Sequence, residues 1–242
     1  MRQHGDAEPT YLFLASEVRS GSTYVAELIS YSLHASGGGE AWDLPREHLR
    51  HLDDRSIPAD VTAALSALWL SPELIRCSKV MCATLSVLVR CARSDAALRN
   101  MVFGPRAKWI VVRRRNRIRQ AVSLAVARKT NRYHSYFADE SESYVDVSMG
   151  EIEASLRAVI MSDCYLDSFC TLPAVSTELF YEDVLADPAG STRRALRDIG
   201  LLADPARFTF GDAKLVPEHR IQKLALEESF RHWLLENNHA TF

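Results

Sequence analysis

Apolar residues along this chain fall into short unbroken runs separated by segments with helical spacing. The first run, Tyr11 to Ala15, is long enough for a buried strand. A polar turn follows from Ser16 to Ser22, in which Gly21 is free to take a positive φ. From Thr23 to Leu33 the residues Val25, Leu28, Ile29 and Leu33 share one helical face. Ser36 and three consecutive glycines then break the pattern and predict a bent connection. Asp60 is placed to cap a helix over 61–70. Arg76 to Cys82 reads as a second strand, Thr84 to Leu98 as a helix, and Trp109 to Val112 as the clearest strand of all. A helix with Ile118, Ala121, Val122, Ala125 and Val126 as its apolar stripe comes next. Glu151 to Phe169 reads as a long helix and Val175 to Phe180 as a fourth strand. Ser191 to Ile199 is a helix stopped by Gly200, and Leu226 to Leu235 is the final helix. Strands and helices alternate, which predicts an α/β fold: a parallel sheet with helices on both faces, in one domain spanning 1–242.

The chemistry concentrates at two strand-to-helix corners. The turn after the first strand is Arg19-Ser20-Gly21-Ser22-Thr23. Its backbone N–H groups and the following helix N-terminus suit an anion. Against the ATP-binding P-loop, Gly21 and Thr23 fit, but Ser22 stands where the lysine belongs. That lysine normally balances the β- and γ-phosphates of a nucleoside triphosphate. Here the cation is Arg19, whose planar fork grips one phosphate in bidentate fashion. The second corner follows the strand at Trp109 and carries Arg113, Arg114 and Arg115. Arginines at the carboxyl end of a parallel strand point into the crevice where α/β folds bind ligands. Asn116, Arg119 and Ser123 then share a polar helical face. Cations at a helix start oppose its dipole, a conflict that a bound anion relieves.

Composition narrows the classes. The 242 residues carry a formal net charge of −2, which disfavours wholesale nucleic-acid binding. The five cysteines form no Cys-x-x-Cys pair, which fits reduced thiols in a cytoplasmic protein. The eight histidines show no metal-ligand spacing, so no metal site is expected. No run of about 18 apolar residues predicts a membrane span.

These residues resemble a known family. Arg19-Ser-Gly-Ser-Thr23, Lys79-Val-Met81, Arg114-Arg115 with Gln120-Ala-Val-Ser123, Thr130 with Tyr133-His134, and Tyr181-Glu-Asp-Val-Leu-Ala-Asp-Pro188 are similar to the bacterial sulfotransferases of the trehalose 2-sulfotransferase type. Those enzymes use 3′-phosphoadenosine-5′-phosphosulfate (PAPS) on a P-loop-like fold. The resemblance implies that Arg19 to Thr23 holds the donor's 5′-phosphosulfate, and that Arg115 and Ser123 hold its 3′-phosphate, with Arg114 as the alternative arginine. It assigns Arg220, Gln222 and Lys223 to a C-terminal donor-contacting segment. The family's catalytic carboxylate falls near Gly39-Glu-Ala-Trp-Asp43, so Glu40 or Asp43 is the implied base, with Ala41 where proline is usual and Val18 where the loop commonly has proline. Lys79 is a possible assistant, His48 and His51 are rival bases, and Trp42, Tyr133, His134 and Tyr136 suggest an aromatic acceptor pocket. The expected reaction is sulfuryl transfer to a hydroxyl of a small-molecule acceptor, a sugar, lipid or specialised metabolite, leaving adenosine 3′,5′-bisphosphate (PAP). Dimers occur among such enzymes. Two other readings stay open: a small-molecule kinase with an atypical P-loop, and a non-catalytic PAP-binding protein.

Overall fold

The computed structural model describes residues 10–36, 51–68, 75–133, 145–173, 176–202, 204–211 and 221–237. Four strands, β1 (Thr10–Ser16), β2 (Ile75–Met81), β3 (Ala107–Arg113) and β4 (Ser176–Phe180), form one sheet in the order β2-β1-β3-β4. Every pairing is parallel, with Leu14 opposite Lys79 and Phe13 opposite Trp109. The helices are α1 (Ser22–Ala35), α2 (Pro58–Leu68), α3 (Cys82–Ser94), α4 (Ala96–Phe103) and α5 (Arg117–Thr130), followed by α6 (Met149–Phe169), α7 (Tyr181–Ala186), α8 (Pro188–Asp198) and α9 (Ile221–Asn237).

β1 and β3 lie in the middle and are buried on both faces, which is why their sequences run apolar without alternation. On one face Phe13, Ala15, Val80, Trp109 and Val111 pack against α2, α3, α4 and α6. The Trp109 ring stacks on Phe13 at 4.5 Å between centroids and meets Phe169 edge-on at 4.7 Å, and its indole N–H donates to the Val102 carbonyl at 2.8 Å. On the other face Leu12, Leu14, Ile110, Val112 and Leu179 pack against α1, α7 and α8. The expected α/β architecture, a parallel sheet with helices on both faces, is therefore what the chain forms. A third cluster joins α5, α6 and α9 through Val122, Ile152, Leu226 and Phe230.

Several predicted boundaries shift, each for a local reason. The second helix starts at Pro58, so Asp60 lies inside its first turn and its carboxylate reaches back to accept from the Ile57 N–H at 2.8 Å. The expected helix over Thr84 to Leu98 is two helices, because Asp95 takes an extended conformation and caps α4 through the Leu98 N–H. The helix expected from Ser191 begins at Pro188, capped by Asp187. The last helix begins five residues earlier than expected, at Ile221 rather than Leu226.

The order β2-β1-β3-β4 places a topological switch point between β1 and β3. The chain leaves β1 toward β2 on one side and β3 toward β4 on the other, so a crevice opens at their carboxyl ends. Both candidate corners stand at that crevice. One interaction anchors α9 beside it. The nearly buried Glu227 carboxylate accepts from Asn116 Nδ2 at 2.8 Å, Arg119 Nε at 2.9 Å and Arg231 Nη2 at 2.9 Å. Burial alone would push this carboxyl up, but those three donors outweigh it and hold it below the usual carboxylate range. Glu227→Ala is expected to lower stability by about 2 kcal/mol, since it strands two arginines that remain partly in water. The contribution is present at neutral pH, above the unfolded value of about 4.3, and fades as pH falls through the lower folded value. Melting curves of wild type and variant should therefore converge in acid; a gap that stays constant with pH would refute the assignment.

Candidate anion site at the switch point

The elbow between β1 and α1 is held in an unusual backbone state. Arg19 has φ +61° and Gly21 has φ +85°, both left-handed. At Gly21 packing also demands a glycine: a Cβ there would lie 2.1 Å from the Tyr181 ring. The loop's carbonyls are tied to the second corner. Arg114 Nη1 donates to the Arg19 carbonyl at 3.2 Å, and Gln120 Nε2 donates to the Val18 carbonyl at 3.0 Å. With Gly21 at its N-cap, α1 begins without a side-chain cap, so the donors of its first turn are of the kind that bind anions.

Cations gather around this elbow. Arg19 Nε donates to Ser123 Oγ at 2.9 Å, and its Nη1 to the Tyr133 carbonyl at 2.6 Å. Lys79, on the neighbouring strand β2, donates to Thr23 Oγ1 at 3.0 Å. The lysine missing from the loop is thus replaced by one from the adjacent strand, close to the first turn of α1. Arg114 is only 13% exposed; its guanidinium lies 5.3 Å from the centre of the Tyr181 ring, and its Nε has no hydrogen-bond partner among the described residues, the Glu182 carboxylate standing 3.9 Å away. Burial pulls the Arg114 guanidinium below its ordinary value; Tyr181 and Glu182 oppose this, while Arg119 and Arg19 add to it. A half-compensated buried cation beside two others is a poor arrangement in isolation and a good one around an anion. Ser20 adds a second sign: its hydroxyl is buried and lacks a partner among the described residues.

At the second corner, Arg115 and Ser123, which the resemblance assigns to one phosphate, meet different protein partners. Ser123 is joined to Arg19, not to Arg115. Arg115 forks onto Asp183, with Nη1 to Oδ1 at 2.5 Å and Nη2 to Oδ2 at 2.7 Å, and covers the Phe180 ring at 4.1 Å. Glu182 accepts from the backbone N–H groups of Arg115 and Asn116 at 3.0 and 3.1 Å, taking the donors that a phosphate at this helix start would use. The physical reason is the pair of carboxylates that opens α7, brought beside β3 by β4. The arginine triplet accordingly divides three ways. Arg113 is buried on the α6 side, paired with Asp167 at 2.8 Å and Glu178 at 2.9 Å. Arg114 turns to the elbow, and Arg115 stays at the surface.

Gln222 sits in the first turn of α9, half-buried, with its amide nitrogen on the Val145 carbonyl at 3.1 Å, and Lys223 follows it on the same turn. Glu40, Asp43, Trp42, His48, His134, Tyr136 and Arg220 lie outside the described residues. His51 is exposed. Gln120, Glu182 and Asp183 were not singled out as site residues by sequence reasoning. Two adjacent carboxylates immediately after a strand, in a chain whose neighbouring strand ends in three arginines, were the available signal.

The five cysteines, all among the described residues, form no disulfide. No helix among the described residues is long and apolar enough to cross a membrane. No protein-family model matches the chain, and no curated protein matches it.

Proposed function

We propose that the protein is a sulfotransferase of P-loop-like fold that moves a sulfuryl group from PAPS to a hydroxyl of a small-molecule acceptor. The observation that carries this reading is the hydrogen bond from Arg19 to Ser123. It unites the loop and the arginine–serine segment, 104 residues apart, on one cationic surface at the switch point. The residues present fit the donor's phosphosulfate end. The Ser20 hydroxyl has no partner among the described residues, and Arg19, Arg114 and Lys79 supply positive charge. PAPS brings an activated sulfuryl group on a phosphate leaving group. The chain's part is to neutralise the charge that builds on that phosphate, through Arg19, Lys79 and the elbow amides. The sulfur–oxygen bond to the phosphate breaks as one to the acceptor oxygen forms, and the acceptor's proton goes to a carboxylate, with Glu40 and Asp43 as the candidates.

The kinase reading is less well supported. In P-loop enzymes the residue at the Thr23 position binds Mg²⁺ through its hydroxyl. Here that hydroxyl accepts from the Lys79 ammonium, and a divalent cation beside an ammonium is repelled. The test is a thermal-shift comparison. PAP and PAPS are expected to raise the melting temperature, by up to the equivalent of about 2.7 kcal/mol at a hundredfold excess over Kd, and Mg-ATP to leave it unchanged. Stabilisation by Mg-ATP alone would favour the kinase. PAP binding without transfer from labelled PAPS to any sugar, lipid or metabolite acceptor would favour a non-catalytic nucleotide-binding protein. In an active enzyme, Glu40→Gln or Asp43→Asn should remove turnover while leaving PAP binding intact.

A further inference from the structure

We infer that Asp183 acts as an internal counterion that stands in for the nucleotide's 3′-phosphate, and that it sets how strongly the protein prefers a 3′-phosphorylated adenosine. The inference rests on the donor assignment above and adds a residue and a role to it. Arg115 is the arginine of the triplet whose guanidinium is not buried. It is 50% exposed and Asp183 43%, whereas Arg113 is 5% exposed and held by two acids and the Asp163 carbonyl. An exposed fork competes with water and is readily exchanged for another anion, whereas the Arg113 cluster is built into the core. Both oxygens of Asp183 are committed to the two terminal nitrogens of Arg115, the geometry with which arginine also takes a phosphate. A phosphate replacing that carboxylate carries more charge and more acceptor oxygens, so the exchange is favourable.

Asp183 is not needed for the local fold in the same way. Its backbone carbonyl, not its side chain, accepts from the Asp187 N–H at 2.9 Å and from the Ser191 hydroxyl at 3.3 Å. Glu182, its neighbour, does the structural work by holding the backbone of Arg115 and Asn116. The corner therefore has one carboxylate that fixes the main chain and one that neutralises an exposed cation. Because the second sits on the arginine itself, every ligand that uses Arg115 must compete with it.

The experiment is calorimetric titration of the full chain with PAP and with adenosine 5′-monophosphate, which lacks the 3′-phosphate. Asp183→Asn removes the competing charge at constant shape. It should tighten PAP about two- to fivefold, the range in which an exposed ion pair acts, and leave the monophosphate unchanged. Asp183→Ser should move the same way, and the gain should vanish in the Asp183→Asn/Arg115→Gln double variant. PAP binding that is unaltered or weaker in both single variants, with wild-type binding intact, overturns the inference and leaves the sulfotransferase reading standing. Equal tightening of the monophosphate overturns it as well, since the charge would then act on the whole crevice. Failure of wild type and both single variants alike to bind PAP removes the donor assignment and this inference together.

Discussion

Gly21→Ala is expected to lower stability by about 3 kcal/mol and to abolish nucleotide binding. Two separate effects add. An L-residue at φ +85° costs about 1–2 kcal/mol by itself. The new Cβ would also meet the Tyr181 ring at 2.1 Å, so the ring or the elbow must move. For a chain of this size that corresponds to a fall in melting temperature of about 6–12 °C. Gly200→Ala is the natural control. Gly200 has φ +73°, but nothing lies within 4 Å of its would-be Cβ, so it should show the backbone strain alone. Equal losses in the two variants would mean that the Tyr181 contact contributes nothing. PAP binding retained by Gly21→Ala would mean that the elbow is not where the phosphate sits.

Arg19 yields the second large effect, with opposite signs in two measurements. Arg19→Gly removes the cation but also removes an L-side chain from a left-handed position at φ +61°. Relief of that strain offsets the lost bonds to Ser123 and the Tyr133 carbonyl, so stability should hold or rise slightly, while PAP affinity falls about 10- to 100-fold, the loss expected for charge-assisted hydrogen bonds. Arg19→Ala loses the same bonds without relieving the strained backbone, so it should lose both affinity and stability. Together they separate a residue held in strain for its ligand from one held there by its own fold. Wild-type affinity in both variants would remove Arg19 from the site.

The parts of this fold that could be read from the chain are those where a single physical cause dominates. Strands β1 and β3 are buried on both faces, so Tyr11 to Ala15 and Trp109 to Val112 stand out as unbroken apolar runs. Gly21 was legible because a strand-to-helix elbow needs a left-handed residue. The end of the Thr84 helix was not, because its apolar spacing continues past Ser94 and only the Asp95 side chain, bonded to Leu98, stops it. The arginine triplet was legible as a cluster but not as three roles. Strand alternation already separates Arg113 from Arg114, since Val111 and Arg113 share one face and Val112 and Arg114 the other. What Arg115 meets depends on Asp183, 68 residues later, brought close only when β4 pairs with β3. A pairing that exists only after the sheet closes leaves no local trace in the sequence.

Tyr181, Glu182 and Asp183 are consecutive, and they press on two different corners: the ring against Gly21, the carboxylates against Arg115 and Asn116. The corners are therefore joined by a lever only three residues long. Whatever an occupant of one corner does to its affinity at the other, thermodynamic reciprocity requires the same factor in reverse. An occupant that draws Arg115 away from Asp183 and one that shifts the Tyr181 ring off Gly21 are therefore expected to alter each other's affinity by one and the same factor.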